Sequence, residues 1–319
     1  MGQGEATARD RGPLWRKRKA IELGHFEARL TRGRGSFHFE NLTSLTSALT
    51  TALRLTGLRA RGERNALRAV VRPIRFVFDS LPEAFHGFRM LHLSDLHIDG
   101  LAGLAESLCE RLQDIEVDLC VLTGDYRFAV HGPCHNVYYH MEKVLAAVRA
   151  RCGIVGVLGN HDFAEEADAL ERMGVRMLMN EAQEVREGPD SVWVVGLDDA
   201  HYYGCDDLPG ALTHVPADAF KILLVHSPEI INEAERAGMS LYLCGHTHAG
   251  QICLPGLGPV FTNASCPRKY TYGTWCYGGI QGYTSAGAGS SGVPVRFFCP
   301  PEIGLIELRC SHLHDTEKG

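Results

Sequence analysis

The 319-residue sequence predicts an α/β fold, and two observations carry that expectation. From residue 74 onward, short apolar runs rich in Val, Ile and Leu alternate with helix-length amphipathic segments. Several of these runs end in Asp, Asn or His, at the position where open α/β sheets gather their ligands. Strand–helix alternation of this kind argues for largely parallel pairing.

The elements can be justified in chain order. Residues 1–73 form a basic arm with 15 Lys or Arg and 6 Asp or Glu, whereas residues 74–319 hold 17 and 32; a net +9 arm is joined to a net −15 body. Within the arm, "RKRK" (16–19) is a charge run. "NLTSLTSALTTALRLTGL" (41–58) reads as an amphipathic helix, because Leu42, Leu45, Leu49 and Leu53 recur at helical spacing. Arg54, Arg59, Arg61, Arg64 and Arg68 follow. The stripe either packs on the body or lies on an anionic membrane surface through residues 41–72. It holds no aromatic for base stacking, so no nucleic-acid partner is expected.

The body, residues 74–310, contains the strand candidates "IRFVFD" (74–79), "FRMLHLS" (88–94), "DLCVLT" (118–123), "GIVGVLG" (153–159), "SVWVVGL" (191–197), "KILLVHS" (221–227) and "LYLCG" (241–245). Helices are expected over 101–114, 139–151, 164–173 and 228–238. "HGPCHNVYYH" (131–140) and "GYTSAGAGSSG" (282–292) read as loops, and 311–319 as a disordered tail. The 11 cysteines are scattered without a CxxC pair, which fits a reducing compartment better than a disulfide framework. No stretch reaches about 18 apolar residues, and the N-terminus lacks a signal-peptide core. The expected location is the cytoplasm, with peripheral attachment to the inner face of the cytoplasmic membrane if the arm binds lipid.

The strand ends carry the chemistry. Asp95 and His97 lie two apart after 88–94, so an extended chain aims both at one point. Asp125 follows 118–123, Asn160 and His161 follow 153–159, His226 sits in "LLVHSPE", and His246 and His248 follow 241–245. One such ending is ordinary capping; five point to a metal. A set of Asp, Asn and His suits Mn, Fe or Zn and suits Ca poorly. Seven candidate ligands (Asp95, His97, Asp125, Asn160, His226, His246 and His248) exceed the needs of one ion and fit two divalent ions sharing a carboxylate.

In this order "SDLH", "GDY", "GNHD", "VHS" and "GHTH" resemble the calcineurin-like metallophosphoesterase superfamily. The resemblance implies a four-layer α-β-β-α sandwich of two mixed sheets. It also implies Asp95, His97, Asp125 and His248 on one ion, Asp125, Asn160, His226 and His246 on the other, and His161 as the catalytic histidine. "GHTHAGQICLPG" and "GYTSAGAGSSGVPVRFFCPPEIGLIEL" resemble a bacterial branch typified by the YkuE and YaeI phosphodiesterases and the lipid A enzyme LpxG. Two positions depart from the pattern. Ala249 stands where the branch commonly carries Gly, and Phe128 stands where phosphoprotein phosphatases carry an Asp that orients the catalytic His; Asp162 or a backbone group is left to do so.

The expected chemistry is in-line attack of an activated water on phosphorus, with His161 either protonating the leaving oxygen or donating a hydrogen bond to the phosphoryl group. Arg127, Asp199, His201 and Arg296 are candidates for touching substrate. The branch favours phosphodiester or pyrophosphate bonds, and the arm favours a substrate at a membrane surface. Together they suggest a nucleotide-linked glycolipid such as UDP-2,3-diacylglucosamine, in lipid A biosynthesis. The alternatives are a broad soluble phosphodiesterase or nuclease, and a non-catalytic scaffold on the same fold. Oligomeric state is not readable from the sequence.

Overall fold

A computed structural model describes residues 11–23, 43–130 and 132–313 of the chain. Strand alternation decides where the core goes. In Arg89–Leu93, Met90 joins Leu119 and Val121 on one side, while Leu91 and Leu93 join Cys120 and Leu122 on the other. The same split divides Ile222 and Leu224 from Leu223 in Lys221–Leu224. The strands are therefore apolar on both faces, as sheets covered on both sides require.

Two six-stranded sheets result. The first runs Val70–Phe78, Glu302–Cys310, Arg89–Leu93, Leu119–Thr123, Ile154–Val157, Val175–Met177 in spatial order. The second runs Gly273–Tyr277, Ile280–Thr284, Leu241–Cys244, Lys221–Leu224, Asp190–Gly196, Glu181–Glu187. Each sheet mixes parallel and antiparallel pairs. Phe76, Met90, Val121 and Val157 of the first sheet meet Val194, Ile222, Leu243 and Tyr283 of the second in one shared cluster. The outer faces are covered by helices such as Leu104–Leu112 and Ala164–Arg172 on one side and Ile231–Arg236 on the other. This is the four-layer α-β-β-α sandwich.

All seven strand candidates contain strands, but five strands of the two large sheets escaped the reading: Val175–Met177, Glu181–Glu187, Gly273–Tyr277, Ile280–Thr284 and Glu302–Cys310. "GYTSAGAGSSG" begins inside one of them. A helix occupies His135–Ala147 rather than 139–151, so most of "HGPCHNVYYH" is not a loop. Its polar His and Tyr residues hid the stripe Val137, Met141, Val144, Leu145, all buried.

The basic arm contributes three helices, α1 (Pro13–Leu23), α2 (Thr43–Leu55) and α3 (Arg59–Ala66). Each meets the body. Trp15 of α1 is buried in the outer core of the first sheet, so "RKRK" lies on a docked helix and not on a free charge run. Leu53 of α2 packs with Val293 and Val295, while Leu49 is exposed; Leu42 lies outside the described residues. In α3 the close approach needs Gly62, where a Cβ would fall 2.6 Å from Val295 Cβ. Of the expected tail, residues 314–319 lie outside the described residues. Among the described residues no helix is long and apolar enough to cross a membrane.

Candidate metal centre

The five motif loops converge at one edge of the stacked sheets, and the geometry centres on Asp125 Oδ2. His226 Nε2 lies 3.3 Å from that oxygen, His97 Nε2 3.5 Å and His161 Nε2 4.0 Å. Carbonyl oxygens only accept, so each ring's other nitrogen must donate. Nδ1 of His97 donates to the Arg127 carbonyl at 2.7 Å, that of His226 to Thr123 at 2.7 Å, and that of His161 to Phe128 at 2.8 Å. These bonds fix the ring orientations and turn every Nε2 toward the carboxylate.

Two further sets of close contacts lie around this carboxylate. His248 Nε2 lies 3.1 Å from His97 Nε2 and 3.4 Å from Asp95 Oδ1. His246 Nδ1 lies 2.9 Å from Asn160 Oδ1 and 3.2 Å from His226 Nε2. Among the described residues three groups are close enough to hold an ion: Asp95, His97 and His248; His97, Asp125 and His161; and Asp95, Asp125 and His226. All seven candidate ligands are buried. Oxygen and nitrogen lone pairs crowded together with few protons between them are the donor set a cation satisfies, so these residues fit divalent metal.

The backbone is bent to achieve this. Asp95, His97, Asp125, His246 and His248 all have left-handed φ, between 39° and 71°. Such residues cost about 1–3 kcal/mol each and persist where the surroundings force them. Part of that force is Asp162, whose carboxylate accepts from the Asp125, Tyr126 and Gly159 amides at 2.7, 2.7 and 2.8 Å. The two loops touch so closely that a Cβ on Gly124 would lie 2.4 Å from Gly159 N. Ala249 has φ 49°, which accounts for the glycine its branch prefers there. At Phe128, it is the backbone carbonyl that orients His161, in place of an acid side chain.

Electrostatics follow burial and pairing. Burial pushes His97 down to about 3, and His246 and His248 well below the usual imidazole range. Burial also disfavours charge on His226, but the adjacent Asp125 carboxylate outweighs it and lifts the ring to about 10. For Asp125 itself burial works upward, yet His226 and His161 hold it well below the carboxylate range. Burial raises Asp95 to about 6.

The four substrate candidates fare differently. The Arg127 guanidinium is buried, 3.3 Å from Glu166 and 4.2 Å from the Phe163 ring centroid, and donates to the Gly132 carbonyl at 2.8 Å. Those partners already engage the guanidinium. Arg296 is also buried; it donates to the His248 carbonyl at 3.0 Å and to His248 Nδ1 at 3.1 Å, so it backs a candidate ligand. The Asp199 carboxylate is occupied by the Tyr202 and Tyr203 amides at 2.6 and 2.7 Å. His201 packs its ring 4.2 Å from that of His246 and pairs with Glu229 at 2.8 Å; it alone of the four lays its ring against a candidate ligand without bonding to it.

Sequence reading missed Arg18. Its fully buried guanidinium donates to the Gly159 and Asp162 carbonyls at 2.9 and 2.5 Å, pairs with Asp198, and lies 3.9 Å over the Tyr203 ring. The only local sign is the i, i+4 pair Arg18–Glu22; the other contacts lie more than 140 positions away.

Two stacked mixed sheets with a His/Asp cluster at their edge define a metal-dependent phosphoester hydrolase. Residues 88–253 match the calcineurin-like phosphoesterase superfamily domain. The chain is 30% identical over 243 residues to the uncharacterized metallophosphoesterase YkuE of Bacillus subtilis (strain 168), covering 73% of this chain and 82% of that protein. Over 238 residues it is 28% identical to YkoQ of the same organism, covering 72% and 86%. To the phosphodiesterase YaeI of Escherichia coli (strain K12) it is 26% identical over 231 residues, covering 69% and 82%. The chain belongs to the calcineurin-like phosphoesterase superfamily.

One pH dependence follows. In the metal-free protein His226 keeps its proton up to about pH 10, and a cation taking that nitrogen must displace it. Affinity for the ion that takes His226 should therefore weaken about tenfold for each pH unit below that value, with one proton released as that ion binds. Calorimetric titration with Mn in buffers of different ionisation enthalpy reads the proton directly. An affinity flat between pH 6 and 9 would rule the exchange out.

Proposed function

We propose that the enzyme hydrolyses a phosphodiester or pyrophosphate bond using two divalent transition-metal ions, Mn for preference and Fe or Zn otherwise. Asp95, His97, Asp125 and His248 would hold one ion; Asp125, Asn160, His226 and His246 would hold the other, with Asp125 between them. The observation that carries this reading is the aim of His97 Nε2 and His226 Nε2, from opposite clusters, at one oxygen of Asp125. When bound, the ions supply Lewis acidity that activates water and neutralises phosphoryl charge.

The chain's own residues supply the rest. His161 is tied at both ends: its amide donates to Asp125 Oδ1 at 2.9 Å and its Nδ1 to the Phe128 carbonyl. Its Nε2 is left facing the cluster, placed to give a proton to the departing oxygen when the ring is protonated at both nitrogens. His201, stacked beside His246, is the substrate-facing side chain we retain. The name of YaeI, a phosphodiesterase, supports a diester over a monoester.

A lipid-linked substrate at an anionic membrane surface, on its cytoplasmic side, is the finer part of the reading, with UDP-2,3-diacylglucosamine as the example. Its support is an apolar rim beside the site. The hairpin that leaves the "GHTH" loop exposes Leu254, Leu257, Val260 and Phe261, and Phe298 nearby is 70% exposed. Ile252 and Phe297, at the base of this rim, pack with Leu53 of α2, whose Leu49 and Leu55 are also exposed. From Arg236 to Pro301 the chain carries no Asp or Glu, in a protein of net charge −6. Exposed aliphatic groups on an acid-free stretch of chain suit an anionic interface.

Three outcomes are expected. Metal-replete protein should carry two ions per chain by elemental analysis, and Asp125→Asn should impair both positions; one ion at saturation would sink the dinuclear reading. His161→Ala should keep its metal and lose roughly 10²–10⁴ in turnover of bis-p-nitrophenyl phosphate, whereas metal loss in that variant would make His161 a ligand. Full-length protein should bind phosphatidylglycerol vesicles less well as salt rises, because screening shortens the reach of charge. Leu257→Ser with Phe261→Ser should weaken that binding and leave turnover of the soluble diester unchanged. Equal vesicle binding by the variant would remove the rim from the interface.

A further inference from the structure

Helix α1 touches the loop that bears Asn160 and His161 at both ends. Arg18 donates to the Gly159 and Asp162 carbonyls, and Glu22, which pairs with Arg18 at 3.2 Å, accepts the Ala164 amide at 2.8 Å. The same guanidinium reaches the second sheet. Asp198, its ion-pair partner, accepts the Asp199 amide at 2.7 Å, and Asp199 gathers the turn that sets His201 against His246. Arg18 is thus the bond between one loop from each sheet. The Asp95, His97 and His248 group has no such tie; its buried arginine is Arg296.

Two carbonyls and a carboxylate facing each other in a dry interior repel unless a cation lies among them. A guanidinium meets all three at once, because its donors are spread in a rigid fork. Remove it, and the buried acceptors lose their partner and the loop must shift to find water. The groups displaced would be Asn160 and its contact with His246 Nδ1, now 2.9 Å.

We propose that Arg18 is a positioning residue of the metal centre: helix α1 acts chiefly on the Asn160–His226–His246 half and reaches the other half only through Asp162 and the Asp125 it braces. The proposal rests on the two-metal reading above. It assigns the N-terminal helix a role in the chemistry, apart from any membrane role of the arm.

The test is Mn titration of full-length wild type, Arg18→Ala and Asp198→Asn by calorimetry, with thermal unfolding recorded on the same samples. Wild type should take two equivalents. Arg18→Ala should take the first normally and the second about 10–100-fold more weakly, the usual loss when an outer partner of a ligand is removed. Millimolar guanidinium chloride should restore part of the second equivalent, while potassium chloride should not. Asp198→Asn, which keeps the shape and removes one partner of the guanidinium, should show the same selectivity in milder form, and serves if Arg18→Ala fails to fold. Wild-type affinity for both equivalents in a folded variant would overturn the proposal. So would equal weakening of both with a lowered Tm and no guanidinium rescue, which is the mark of a merely structural arginine. A wild-type protein that takes one ion overturns the two-metal reading itself, and is recognised without reference to any variant.

Discussion

The structure depends on keeping one buried carboxylate charged. Asp125 is out of water, yet its pKa is held well below the ordinary range because imidazoles crowd its Oδ2. Each of those rings must in turn spend its other nitrogen on a backbone carbonyl. Those carbonyls belong to residues 123, 127 and 128, on either side of Asp125 itself. The strand end that supplies the carboxylate therefore also supplies the braces for its partners. The left-handed turns at Asp95, His97 and Asp125 are the backbone consequence, since an extended chain could not present carbonyl and side chain to the same small volume.

Around this centre the two sheets do different work. The first delivers Asp95, His97, Asp125, Asn160 and His161; the second delivers His226, His246 and His248. Neither sheet alone holds enough ligands, so their packing through Val121, Val157, Ile222 and Leu243 is as much a part of the site as the ligands are. The three buried arginines divide the remaining polar burden. Arg127 supports the loop after Asp125 through Glu166, Arg296 supports His248, and Arg18 joins the loops that flank Asn160 and His201.

Much of this was legible beforehand because the signal is local. A strand that ends in Asp-Leu-His or Gly-Asn-His-Asp shows its chemistry within four residues, and apolar alternation shows its faces. What escaped the sequence is long-range. Glu302–Cys310 carries alternating Ile, Leu and Leu, but its place between Val70–Phe78 and Arg89–Leu93 is set by partners over two hundred positions away. Arginine environments are hidden for the same reason. Arg127 and Arg296 stand as candidate phosphate contacts in the sequence and are held by buried acceptors in the fold, while Arg18 looks like one unit of a charge run. An arginine's role is decided by which acceptors the fold brings to it, and those are invisible in its neighbourhood.

The strand order of the first sheet also has a kinetic side. Glu302–Cys310 lies inside the sheet, paired on both edges, with the parallel neighbour Val70–Phe78 entered first and this strand last. Until the ribosome has released that final strand, Arg89–Leu93 has an open edge and Val70–Phe78 has no partner in the sheet. Pairings across such separations are slow because loop closure precedes any reward. Before that strand is added the chain holds a half-built sheet, with unpaired edges of the kind that invite aggregation.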